Sequence, residues 1–296
     1  MYNIQEAFRD GVKGYTPSTM WFTSGNINKN EMTYQIEGFK REGIEDYFIH
    51  PSNGTQGDYL GEYFFCMIKH AAAEAKRLGI NFWIYDEYNW PSGVAGGQVL
   101  LDEPWTHSSC LCKITVIAAA GETIEMMLPE KKRFNTTPLL FIVDGAEAVV
   151  VLDGDVVTWT NDSAEEKSLE VYFSKWTLGK IAALRDSGVV APVEGYLDTL
   201  DPEAVSVFIN KTHEEYKKHI GEGFGEYVKG IFTDEVVTSY LARQKGEEEM
   251  IMLPWTRLFL DKFIERNSYD IRPRLSELFS NTSPKLNVDY WETVSD

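Results

Sequence analysis

Short apolar runs alternate with segments of helical spacing over the first third of the chain. Three strands are predicted at 19–23, 46–50 and 81–85, each followed by polar loop residues and, after the first two, an amphipathic stretch. This alternation is typical of βαβ units and predicts a parallel sheet. Two further strands are predicted at 193–197 and 228–233.

A closed (β/α) barrel needs eight parallel strands, and the pattern supplies five. We therefore expect an α/β fold of the TIM-type barrel class that is incomplete in this chain, with the chain as the front portion of a longer protein. An open sheet, or strands that the pattern does not reveal, would also explain the shortfall. The segments 255–266 and 273–279 have helical spacing, and no strand is predicted among them.

The pattern changes between residues 110 and 178. Apolar runs there are separated by Gly, Asp and Asn turns with few helical stripes between them, which indicates antiparallel β structure. Barrel folds accept such insertions between a strand and its helix. The expected domains are 1–109 as the first part of the barrel, 110–178 as a small inserted antiparallel β domain after the third strand, and 179–296 as the continuation of the barrel.

Composition narrows the possible partners. The 296 residues carry a net charge of -18, which disfavours nucleic acid and anionic membrane surfaces as partners. No apolar run approaches the length of a membrane span or a signal peptide, so we expect a cytoplasmic protein. The three cysteines, Cys66, Cys110 and Cys112, are too few for a disulfide framework, and free thiols are expected.

Acidic and aromatic residues collect where the predicted strands end. In barrel enzymes the strand C-termini build the active site, and two strands here end in an Asp-Glu pair, Asp86-Glu87 and Asp234-Glu235. Crowded carboxylates raise one another's pKa, so that one stays protonated while another is ionised, which is the pairing that glycoside hydrolysis requires. Glu235 and Glu87 are the predicted catalytic residues. The predicted sugar-binding residues are His50, Asp86, Trp90, Asp198, Asp234, Trp21, Tyr85 and Asn53.

Structural explanations compete with these assignments. An acidic residue after a strand is often a helix N-cap, which is the favoured interpretation of Asp201 and an equal alternative for Asp198. His50 fits a core histidine about as well as a ligand. The Gly-rich segment 91–97 lacks the spacing of a phosphate-binding loop, and a flexible rim loop is the preferred interpretation. No metal site is assigned from the sequence.

Two segments, 85–93 (YDEYNWPSG) and 230–235 (GIFTDE), resemble those of bacterial α-L-rhamnosidase-like glycoside hydrolases. Supporting similarity follows in order at 48–51, 198–205, 208–216 and 253–256, so the resemblance spans most of the chain outside the β insert. It implies a (β/α)8 catalytic barrel, inverting hydrolysis of a terminal deoxyhexose linkage and dependence on calcium. Glu235 is then the general acid.

The chain departs from this family's pattern in two respects. Val236 stands where the family usually has proline, and the chain ends before the later strands, which carry the family's second catalytic carboxylate. The sequence therefore assigns no general base. The alternatives are a non-catalytic carbohydrate-binding protein derived from such an enzyme, and a metal-dependent barrel isomerase or lyase. The expected partner is a carbohydrate, and exposed sheet edges make a homo-oligomer an additional expectation.

Overall fold

The structure, a computed structural model, describes residues 4–10, 16–25, 27–179, 193–237 and 250–296. The chain divides into two compact units. The first comprises Met1–Glu103, Ile181–Val193 and Ser206–Val236, and the second comprises Pro104–Lys180, Glu194–Val205 and Val237–Asp296.

A parallel sheet organises the first unit. Its strands are β1 Ser18–Gly25, β2 Asp46–Thr55, β3 Asn81–Tyr85 and β11 Val228–Phe232, in the spatial order β1-β2-β3-β11. These are four of the five predicted parallel strands. In the part of the chain that the structure describes they form an open sheet, and a closed barrel is not shown.

One face of this sheet is covered by helices α2 Lys29–Arg41 and α3 Glu62–Leu78. Tyr47 on this face donates from its hydroxyl to the Ala71 carbonyl of α3 at 2.7 Å. Side-chain alternation sends the neighbouring residues of each strand to the other face, which carries rings from all four strands.

The helix ends follow ordinary capping chemistry. The Asn28 side chain accepts a hydrogen bond from the Glu31 backbone N–H at the start of α2. Gly79, at φ +65°, ends α3 in the left-handed conformation that suits glycine. The remaining helices before the C-terminal region are α1 Ile4–Asp10, α4 Gln98–Asp102, α5 Lys131–Phe134, α6 Pro202–Lys211 and α7 His213–Ile220. Among the described helices, none is long and apolar enough to cross a membrane.

Two antiparallel sheets form most of the second unit, which confirms the β character predicted for 110–178. The strands are β4 Ser109–Ala118, β5 Thr123–Met127, β6 Thr137–Val143, β7 Ala146–Glu147, β8 Val151–Asp153, β9 Val156–Thr160, β10 Lys167–Trp176 and β12 Ile251–Trp255. They pair in the orders β12-β4-β10-β6-β7 and β5-β9-β8. One core contains apolar residues of both sheets, including Cys112, Trp159 and Phe173.

The C-terminal helices pack on the five-stranded sheet. Helices α8 Phe259–Asn267, α9 Leu275–Phe279 and α10 Pro284–Ser295 share a second core with residues such as Leu111 and Tyr172. Because Leu111 and Cys112 are consecutive on β4, they point to opposite faces, and the sheet is covered on both sides.

Two sequence expectations about the C-terminal third differ from the structure. The segment 193–197 is not a parallel strand; it contributes one antiparallel bridge between Leu197 and His107. The strand β12 was not predicted, and it pairs with β4. The described residues from Met250 onward therefore belong with the antiparallel sheets, because β12 and the helices after it bury their apolar residues there. Residues 180–192 and 238–249 of the segment predicted to continue the barrel lie outside the described residues.

Candidate functional site

The loop after β3 is built around the carboxylate of Glu87. This side chain is fully buried, and its two oxygens accept the backbone N–H groups of Tyr88, Gly93, Val94, Ala95 and Gly96 at 2.5 to 3.0 Å. The Gly-rich segment does gather N–H groups around an anion, and that anion is the chain's own glutamate. Burial raises the pKa of Glu87 to about 7, while the N–H groups, which stabilise the charged form, act in the opposite direction.

Asp86 is the centre of a buried hydrogen-bond network. Its Oδ1 accepts from the Ser92 hydroxyl at 2.6 Å. Its Oδ2 accepts from Thr233 Oγ1 at 2.7 Å and lies 2.9 Å from His213 Nε2. Because Asp86 has no exposed surface, its carboxylate organises its neighbours and does not face solvent.

Ser92 connects this network to Asp234, at the end of β11. The Ser92 N–H donates to the Asp234 carbonyl at 2.8 Å, and the Asp234 N–H donates to Ser92 Oγ at 2.9 Å. The Tyr85 hydroxyl donates to Asp234 Oδ2 at 2.7 Å. The two acidic pairs therefore converge at one edge of the parallel sheet.

Glu235 follows Asp234 and is exposed. Its backbone adopts φ +42°, a left-handed conformation that is uncommon for glutamate. Such outliers persist where the surrounding structure imposes them, and they cluster at functional sites. In the part of the chain that the structure describes, no hydrogen bond or ion pair engages the Glu235 side chain.

A wall of aromatic rings lies beside the acidic residues. The His50 ring is 4.1 Å from that of Tyr85 and 4.4 Å from that of Phe22, and Phe48 stacks on Phe232 at 4.9 Å between ring centroids. Phe22 and Phe232 are exposed, with 51% and 37% of their surface accessible. This mixture of exposed rings and polar atoms is the surface that sugar rings stack on.

His50 combines burial with an unused polar atom. The residue is 1% exposed, and its Nδ1 makes no hydrogen bond within the described residues. Burial lowers the pKa of His50, which favours the neutral imidazole. A neutral ring presents one donor and one acceptor, which suits a hydroxyl ligand.

Six of the predicted site residues lie at this edge of the sheet. They are His50, Tyr85, Asp86 and Asp234 together with Trp90 and Asn53. Trp90 is 6.4 Å from His50 between ring centroids and is 41% exposed, and exposed Asn53 accepts from the Asn89 amide at 3.0 Å. Glu235 adjoins them as the residue after Asp234.

Trp21, Glu87 and Asp198 are placed differently. Trp21 lies on the helix-covered face, where its indole N–H donates to Gln35 of α2 at 2.8 Å. Its neighbour Phe22 therefore lies on the sugar-binding face that was predicted for Trp21. Glu87 is enclosed by its own loop. Asp198 belongs to the second unit, where it accepts from the Leu200 N–H at 3.1 Å and burial raises its pKa to about 6.

Several residues of the site were not singled out from the sequence, namely Phe22, Ser92, His213, Thr233 and Phe232. The alternation of side chains along each strand could have identified Phe22 and Phe232, because both lie on the same face of the sheet as predicted sugar-binding residues. His213 carries no local signal, because its contact with Asp86 joins residues 127 positions apart, and Ser92 bonds the distant Asp234 as well as Asp86. Among the described residues, no group of three His, Cys, Asp or Glu side chains has an arrangement that could hold a metal ion; calcium dependence stays a prediction.

Comparison with known proteins finds similarity to two proteins that are named as glycosidases. No protein-family model matches the chain. A protein named "Putative beta-glucuronidase" from Formosa agariphila is 26% identical over 177 residues, which cover 56% of this chain and 14% of that protein. A solved rhamnosidase from Novosphingobium sp. PP1Y shares the fold with a TM-score of 0.58 and 13% identity, over 99% of this chain and 45% of the rhamnosidase. The chain therefore spans less than half the length of either protein.

Proposed function

We propose that this chain carries the general acid of a glycoside hydrolase, and that the site lies at the carboxyl end of the parallel sheet. The observation that carries the proposal is the Asp234-Glu235 pair at the end of β11, next to exposed aromatic rings and the unused Nδ1 of buried His50. The relatives named above, both glycosidases by name, support the same class of reaction.

Glu235 is the proposed general acid. In this role its exposed carboxyl donates a proton to the glycosidic oxygen as the bond to the anomeric carbon breaks. Asp234 uses Oδ2 to accept from Tyr85, which leaves Oδ1 to accept a hydroxyl of the sugar. Glu87 shapes the loop that carries Trp90, and no residue of this chain is assigned as the general base.

A neutral deoxyhexoside such as an α-L-rhamnoside is the proposed substrate. The exposed rings of Phe22 and Phe232 suit the apolar face and methyl group of a deoxy sugar. The carboxylate of Asp234 would repel the carboxylate of a glucuronide. The proposal therefore ranks rhamnosides above glucuronides.

Aryl rhamnosides with different leaving groups test the acid. Glu235→Gln is expected to lower kcat/KM on a phenyl glycoside by about 10²- to 10⁴-fold, the usual contribution of a general acid. On a dinitrophenyl glycoside the loss is expected to be small, because that leaving group departs without a proton. Glu226→Gln, an exposed glutamate before β11, is the control and is expected to match the wild type on both substrates.

Equal activity of Glu235→Gln and the wild type on both substrates would remove Glu235 from catalysis. Calorimetric binding of rhamnose without any turnover would replace the hydrolase with a carbohydrate-binding protein. If the protein shows no turnover and no rhamnose binding, the proposed sugar site at this edge of the sheet is contradicted.

A further inference from the structure

Three sulfur atoms meet in the core of the second unit. Cys110 and Cys112 lie on β4, with their Sγ atoms 3.4 Å apart, and Cys110 Sγ is 3.8 Å from Met252 Sδ on β12. Both cysteines are fully buried, and Met252 is 8% exposed. The cluster takes no part in the proposed hydrolase chemistry.

Strand geometry explains why these three sulfur atoms lie together. Residues two apart on a strand point to the same face, so Cys110 and Cys112 share one side of β4. Met252 is the cross-strand partner of Cys112 in the antiparallel pair of β12 and β4, and cross-strand partners also share a face. The three side chains are thus aimed into the same core.

A buried lysine lies on the neighbouring strand. Lys175 of β10 is the cross-strand partner of Cys110 and is 1% exposed. Cys110 Sγ lies 3.7 Å from the backbone carbonyl oxygen of Lys175, so β10 borders the sulfur cluster.

We propose that Cys110, Cys112 and Met252 form a binding site for Cu(I). Thiolate and thioether sulfurs are the ligands that select this soft ion. With metal–sulfur bonds of about 2.3 Å, three sulfurs around one ion are about 4 Å apart, close to the separations in this cluster. The two thiol protons leave on binding, and the bis-thiolate complex of Cu(I) carries one negative charge.

A disulfide fits these cysteines less well. Its sulfurs must approach to about 2.05 Å, and its Cα atoms are at most about 6.8 Å apart. Residues two apart on an extended strand already reach about 6.6 Å, at the upper limit of that range. An ion that bridges the sulfurs requires less movement of β4 than a bond between them.

Competition for copper tests the site. The reduced full chain is titrated under anaerobic conditions into the Cu(I) complex of bicinchoninate, whose absorbance falls as copper leaves it. We expect the wild type to remove one equivalent and Cys112→Ala to remove none. Met252→Leu, a volume-conserving change that retains the fold, is expected to bind at least about tenfold more weakly, the loss seen even for outer-shell partners of metals.

Cys66→Ala is the matched control, because Cys66 is the half-buried cysteine of α3 in the first unit. This variant is expected to bind copper like the wild type, and circular dichroism of each variant separates loss of binding from loss of fold. The proposal is overturned if the wild type removes no copper from bicinchoninate. It is also overturned if Cys66→Ala loses the bound equivalent while Met252→Leu retains full affinity.

Discussion

Replacing Ser92 with alanine removes one hydroxyl that joins the two acidic segments of the candidate site. In the wild type, Ser92 Oγ donates to Asp86 Oδ1 at 2.6 Å and accepts the Asp234 N–H at 2.9 Å. The substitution leaves a fully buried carboxylate with one donor fewer and a backbone N–H without its acceptor. The side chain of alanine fits the same space, so the effect isolates these two hydrogen bonds.

The two losses can be added from typical values. A hydrogen bond to a charged group contributes about 1.5 to 3 kcal/mol, and an orphaned buried N–H costs about 1 to 3 kcal/mol. Asp86 keeps its contacts with His213 and Thr233, and water can reach half-buried Asp234, so we expect a total of about 3 kcal/mol, near the lower end of the summed range.

Urea unfolding followed by tryptophan fluorescence measures this loss. With an m value of about 3 kcal/mol per molar urea, the midpoint is expected to fall by about 1 M. Ser18→Ala, at an exposed position at the start of β1, serves as the control and is expected to lie within about 0.5 kcal/mol of the wild type. If Ser92→Ala is as stable as Ser18→Ala, the Ser92 bridge does not hold the two segments together and the reasoning fails.

Three further outcomes are expected. Because burial raises the pKa of Glu87 from 4.5 to about 7, the folded chain retains a proton that the unfolded chain releases. The free energy of unfolding should therefore fall as pH rises from about 4.5 to about 7, by up to about 3 kcal/mol. The urea midpoint of Glu87→Gln should fall less steeply with pH over this range than that of the wild type. Equal pH dependence of the two midpoints would contradict the raised pKa of Glu87. Trp21→Phe should lower stability in thermal unfolding and leave the calorimetric affinity for rhamnose unchanged. Trp90→Ala should lower that affinity with little effect on stability. The reverse result would make Trp21 the sugar-binding residue and Trp90 the packing residue. Gly230→Ala should destabilise by about 1 to 3 kcal/mol, because its Cβ would lie 2.5 Å from the tryptophan ring of β3, while Gly38→Ala in α2 should be neutral or stabilising; equal unfolding temperatures for both would refute the clash.

The positions of the four parallel strands in the first unit followed from the sequence alone. Strands predicted at 19–23, 46–50 and 81–85 lie within β1, β2 and β3, and the one predicted at 228–233 matches β11 to within one residue. These elements are recognisable because a strand repeats every 2 residues and a helix every 3.6, so the pattern of apolar residues carries the information locally.

The choice between the two faces of a strand depended on tertiary packing. Trp21 and Phe22 are consecutive and both aromatic, so alternation separates them without indicating which one the helices cover. The contact of Trp21 with Gln35 of α2 decides the question. Pairing of distant strands is equally nonlocal, which is why β12 joined β4 although no strand was predicted there.

The sequence by itself determined the types of chemical group at the strand ends, since the pairs Asp86-Glu87 and Asp234-Glu235 stand where two predicted strands end. Their different environments were decided only by the tertiary structure: Glu87 is enclosed by backbone N–H groups of its loop, Asp86 is buried under Ser92, and Glu235 is exposed. Sequence order specifies which groups are present, but burial and the hydrogen-bond partners that folding brings together, such as His213 and Thr233 at Asp86, determine what a carboxylate can do.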